Sequence, residues 1–156
     1  MTRLVLALAA FSLAGCATAP EPAAAPAPLP PVRDLTALLP AEGRMAASVV
    51  PDHLLGQPKM PGGTVGDYQT GGKKYQLFVI EADSVQAAAF LLVDMKSALQ
   101  NPEYIAHMGG YFGGYFGTGA TGPVYVFAKL RYLAGVAGLS QDEADPIARV
   151  LAARLK

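Results

Sequence analysis

Apolar and polar residues alternate along this chain in ways that separate strands from helices. Thr64 to Thr70 and Lys73 to Ala82 read as two strands, joined by Gly71-Gly72 as a two-residue hairpin turn. The second strand carries Leu77-Phe78-Val79-Ile80, apolar on both faces, which predicts a central place in a sheet. Val85 to about Leu99 has helical spacing, with Val85, Ala88, Ala89, Leu92, Lys96 and Leu99 on one side and Phe90 and Val93 on a neighbouring stripe. So broad an apolar face predicts a helix mostly covered by the sheet. Asp83 or Ser84 starts it, Asp83 with Gln86 resembling a capping box, and Asn101-Pro102 ends it.

Further on, Pro123 to Leu133 reads as one strand, Val124, Val126 and Ala128 alternating with Tyr125, Phe127 and Lys129. The last helix starts either from Ser140 with Glu143 or from Asp145 with Pro146 in its first position. Ile147, Val150, Leu151 and Leu155 form its expected buried stripe. Asp34 can cap a short helix, Leu35 to Leu39, ended by Pro40, and the stretch from there to about Pro61 is weakly patterned. Together these elements predict an α+β domain over residues 33–156, a small antiparallel sheet with two main helices packed on it. Its expected core includes Leu77, Val79, Phe90, Leu92, Val126 and Leu151.

The first 32 residues follow other rules. Met1-Thr2-Arg3 is a short positive region, Leu4 to Leu13 an apolar run, and Leu13-Ala14-Gly15-Cys16 resembles the lipobox of bacterial lipoproteins. The apolar run is far shorter than the ~20 residues a membrane-spanning helix needs. The resemblance implies cleavage after Gly15, a diacylglycerol (and commonly a further acyl chain such as palmitate) on Cys16, and a permanent membrane attachment. Ala17 rather than Asp follows the cysteine, which by the same resemblance implies an outer-membrane lipoprotein facing the periplasm, with a plasma-membrane anchor as the alternative. Residues 16–32 are then the lipidated N-terminus and a disordered tether. Six of the fifteen residues 17–31 are proline, which favours extended polyproline II at ~3.1 Å per residue, a reach of up to ~45 Å.

Charge narrows the partners. Twelve basic residues balance twelve acidic ones, and the only basic pair is Lys73-Lys74, so no cationic surface for nucleic acid is expected. Cys16 is the only cysteine, so no internal disulfide is possible.

Candidate chemistry is sparse. Gly117-Thr118-Gly119-Ala120-Thr121-Gly122 matches a dinucleotide-binding pattern, but that motif needs a helix after it, and Pro123 and a β-rich run follow instead. No nucleotide is expected. His53 and His107 are the only histidines; Asp52-His53 are adjacent, and Glu103 with His107 has the spacing that shares a helix face. Neither pair supplies the three or four convergent ligands of a metal site, so neither metal nor cofactor is expected. Asp67, Glu81, Asp83 and Asp94 are scattered at element ends, and no nucleophile motif is present. Tyr111-Phe112-Gly113-Gly114-Tyr115-Phe116 is the most unusual segment, its four aromatics serving either as partner- or ligand-binding groups or as core.

From Asp34 onward the chain resembles an uncharacterised family of small exported bacterial domains. The likeness lies in Leu38-Leu39-Pro40, in Tyr75-Gln76-Leu77-Phe78-Val79 before Ser84-Val85-Gln86-Ala87, and in Val124-Tyr125-Val126-Phe127-Ala128-Lys129. It implies a fold and no activity. The expected function is therefore a lipid-anchored, non-enzymatic domain that binds or supports another envelope component. A periplasm-facing binder of small molecules or envelope polymer is the alternative, with an unrecognised hydrolase third.

Overall fold

The computed structural model describes residues 31–106 and 113–156. Seven strands, β1 (Arg44–Asp52), β2 (Pro61–Thr70), β3 (Lys73–Glu81), β4 (Gln100–Ala106), β5 (Gly113–Gly119), β6 (Gly122–Lys129) and β7 (Tyr132–Ala137), join two helices, α1 (Val85–Ala98) and α2 (Gln141–Arg154). The strands form one sheet in the order β1-β2-β3-β7-β6-β5-β4, each pair antiparallel. The domain is α+β, as its pattern predicts. After the β1–β3 meander, α1 carries the chain across the sheet to its far edge. From there β4 to β7 meander back, so that β7 pairs with β3.

The pleat splits the core in two, because successive side chains on a strand point to opposite faces. Phe78, Ile80, Val124, Val126 and Leu133 meet Met95 and Leu99 from the α1 side. Leu77, Val79, Tyr125, Phe127, Ala134 and Val136 meet Ala144, Ala148, Leu151 and Leu155 of α2 on the other. The doubly apolar run of β3 is thereby explained, since both of its faces are covered. Gly71 and Gly72 form the β2–β3 turn, with φ of +59° and +81° as a type I′ hairpin requires.

Several expectations need correction. The first helix is not mostly covered: Val85, Phe90 and Val93 are 63%, 61% and 55% exposed, with Ala89 and Lys96 also outward. Phe90 is therefore not core and Leu92 is only half-buried, whereas Leu77, Val79, Val126 and Leu151 are buried as expected. Ser84, not Asp83, caps α1, its Oγ accepting from the Ala87 N–H at 3.0 Å. Pro123 to Leu133 is not one strand, because Leu130-Arg131 turn the chain between β6 and β7. The last helix starts at the Ser140–Glu143 pair, where the Glu143 carboxylate accepts from the Ser140 N–H (3.3 Å) and hydroxyl (2.7 Å), so Pro146 lies inside it. Val150 faces solvent, and Ala144, Ala148 and Ala152 complete the stripe instead. The early short helix is a 3-10 turn, Thr36–Leu38, with Asp34 Oδ1 accepting from the Thr36 N–H at 2.9 Å. Strands β1, β4 and β5 occupy stretches without a strand signature.

Candidate functional site

Where β3 hands over to α1, a cleft of about 780 Å³ opens between the ends of β1 and β2, the first turns of α1 and residues 31–35. Its polar centre is Glu81, the last residue of β3, whose side chain is only 15% exposed. Arg33 Nη1 donates to both Glu81 oxygens at 3.1 and 3.2 Å, and Arg131 Nη2 approaches Oε1 at 2.6 Å. Two guanidinium groups on one half-shielded carboxylate fix the position of all three. Thr64, buried in β2, holds the same corner: its Oγ1 accepts from the Leu35 N–H at 2.9 Å and donates to the Arg33 carbonyl at 3.5 Å. The start of the described chain is thus stitched to the sheet at the cleft. The opposite wall is apolar, formed by Ala87, Phe90 and Leu91 of α1. Arg33, Glu81 and Arg131 of the cleft are occupied with one another, and Asp52 and Asp83 also line it.

The sequence-expected residues fall elsewhere. Tyr115 and Phe116 follow each other on β5 and so point to opposite sheet faces, both half-buried. The Tyr115 ring packs edge-on against Tyr104 at 5.5 Å, and Lys96 Nζ stands 4.9 Å from its centroid. Phe116 lies against the α2-side core. Tyr111, Phe112, His107 and Cys16 lie outside the described residues. Gly117 to Gly122 form β5 and its turn into β6, and a Cβ on Gly117 would stand 2.9 Å from the Gln100 carbonyl. Gly117 and Gly119 serve close packing, and Gly122 takes the positive φ (+124°) at the start of β6.

Asp52 and His53 pair with each other, Oδ2 to Nδ1 at 3.0 Å. Glu103 is on edge strand β4, where its spacing to residue 107 is not that of a helix face. Asp67 accepts from Gln76 at 2.8 Å, Asp94 faces Lys59 at 3.6 Å, and Asp83 lines the cleft. Lys73 of the basic pair meets the Glu143 carboxylate. Among the described residues no group of three or more His, Cys, Asp or Glu converges as metal ligands would.

No family model matches this chain, and no curated protein sequence is significantly similar to it.

Sequence reasoning missed the Arg33–Glu81–Arg131 cluster, since its members are about fifty residues apart on either side of β3. The bare face of α1 had a signal, an apolar pattern running almost all round the helix. Such breadth predicts a helix mostly covered by the sheet, whereas the sheet covers only the side that carries Ala88, Met95 and Leu99.

Proposed function

We propose that the chain is a bacterial lipoprotein held in the envelope, at the periplasmic side of the outer membrane, by a lipid on Cys16. Its folded domain acts without catalysis, docking on another envelope component. The observation that supports this reading most is the uncovered apolar face of α1, beside the cleft at which residues 31–33 join the domain. Contiguous exposed apolar patches rimmed by charge mark interaction surfaces, while isolated exposed residues do not. Among the described residues no helix is long and apolar enough to cross a membrane.

Two experiments test it. Radiolabelled palmitate should enter the wild-type chain and not the Cys16→Ser variant; equal labelling of both defeats the anchor. A photo-reactive residue at position 90, in living bacteria, should give an adduct with an envelope component that the same residue at position 150 does not give. Identical products from both positions would defeat the docking face.

The cleft also supports a second reading, the binding of a small molecule or polymer end. A 780 Å³ concavity with apolar walls and one polar cluster has the size and lining of ligand sites. Substitution of Leu91 on the cleft wall would then abolish ligand binding, and a photo-reactive residue at position 93, outside the cleft, would give no adduct that position 150 lacks.

A further inference from the structure

We propose that the outer face of α1 seats on the lipid leaflet itself, so that the domain lies down on the membrane that holds its anchor. This rests on the lipoprotein reading above and names the envelope component that α1 meets.

The face is continuous. At about 100° per residue, Val85, Gln86, Ala89, Phe90, Val93, Lys96 and Ser97 fall within about 140° of the helix surface, and all seven are exposed. One of them, Lys96, is charged. Asp94, the nearest carboxylate on the helix, is turned off this face and pairs with Lys59. Helices that lie in a membrane interface sink such a stripe to the headgroup–acyl boundary, and Lys96 Nζ stands over the Tyr115 ring beside this face.

The place where the described chain begins favours a membrane over other occupants. Pro31 and Arg33 line the same cleft as Phe90, and Thr64 pins the Arg33 backbone there. The segment leading to Cys16 therefore leaves the domain beside α1. Fifteen residues span at most ~54 Å even fully extended, so the anchor keeps the domain within that distance of the bilayer. A surface that is always within reach acts at high effective concentration, so a weak apolar contact is enough.

A second copy of the chain is a poorer match. Stable protein interfaces cover roughly 800 Å² on each partner. The α1 stripe belongs to one helix of 14 residues, about 21 Å long, with three large exposed apolar side chains. An interfacial helix needs no matching pocket, only the sinking of such a stripe by about 5–10 Å.

The chain contains no tryptophan, so Phe90→Trp introduces a single reporter on this face, near the middle of the helix's length. The mature lipidated protein, purified from bacterial membranes, would be reconstituted into phosphatidylethanolamine–phosphatidylglycerol vesicles, with and without lipids brominated high on the acyl chain. Emission should shift to the blue and fall about twofold with brominated lipid, since the ring would sit at the headgroup–acyl boundary. A Val150→Trp control, on the opposite layer of the domain, should show neither change. Protein that floats with vesicles but whose Phe90→Trp emission is no more quenched than the control overturns the seating and leaves the anchor intact. A blue shift that grows with protein concentration but ignores brominated lipid assigns the face to a second copy, and also overturns it. Protein that does not float at all removes the lipoprotein reading and the seating with it.

Discussion

Replacing Phe90 with alanine should cost much less stability than replacing Met95, although phenylalanine is the larger side chain. Both stand on α1, but Phe90 is 61% exposed and Met95 only 1%. A phenylalanine offers about 200 Å². The covered two fifths then amount to about 80 Å², a ceiling of about 2 kcal/mol at ~25 cal/mol per Å². Burial measured from an extended chain overstates this by roughly 10–40%, and alanine's better helix propensity returns about 0.5 kcal/mol. A net loss of about 1 kcal/mol is expected. Met95 packs with Phe78, Val126 and Leu133 under the helix. Its truncation leaves a cavity there, so about 2–5 kcal/mol is expected. Urea unfolding followed by circular dichroism, on chains beginning at Ala17 and fitted with a common slope, measures both. A Phe90→Ala loss equal to that of Met95→Ala would mean that the outer face of α1 is covered within the fold, and the docking argument would fall.

Other consequences are local. A Cβ at Gly135, in central strand β7, would sit 2.2 Å from the Tyr125 carbonyl and 2.5 Å from the Phe78 ring, so Gly135→Ala should lower stability by about 3 kcal/mol or more. An unchanged melting temperature would contradict the register of β3, β7 and β6. Hydrogen bonds from Lys73 and then from Ser140 hold the Glu143 carboxyl down, from 4.5 to about 2. A depressed carboxylate contributes stability above its ordinary value and loses it as pH falls through the folded one. The advantage of wild type over Glu143→Gln should therefore shrink between pH 4.5 and about 2, and an advantage undiminished at the acid end would refute the pairing. Burial and the nearby Asp145 charge raise the Tyr125 hydroxyl, which lies 3.1 Å from Asp145 Oδ1. Tyr125→Phe should cost about 1 kcal/mol in the same unfolding assay, and a change within error would show that hydrogen bond to be idle.

What the sequence made legible was set by how each element is covered. Strand β3 is covered on both faces over Leu77–Ile80 and is apolar there without a break, and the Gly71-Gly72 turn after β2 announces the hairpin. Edge strand β1 was illegible because α1 lies over β4 to β7 and α2 over β6 and β7, leaving β1 with almost no buried residue to create alternation. In β5, glycine occupies positions such as Gly117 where a neighbouring backbone comes too close for a side chain, which resembles a loop in sequence. The β6–β7 turn was hidden because Leu130 takes the positive φ (+52°) that turns usually give to glycine or asparagine. At the candidate site, the apolar ring around α1 was visible, but an apolar helix can be buried or bare. Only the placement of the sheet beneath Met95 and Leu99 distinguishes the two.

The proposed lipid anchor is tested most directly by intact-mass measurement of the protein extracted from bacterial membranes. The expected product is a mature chain that begins at Cys16 and is heavier than its amino acids by a diacylglycerol, with or without a further acyl chain. A chain that keeps Met1, or one cut elsewhere with a free Cys16 thiol, would contradict it.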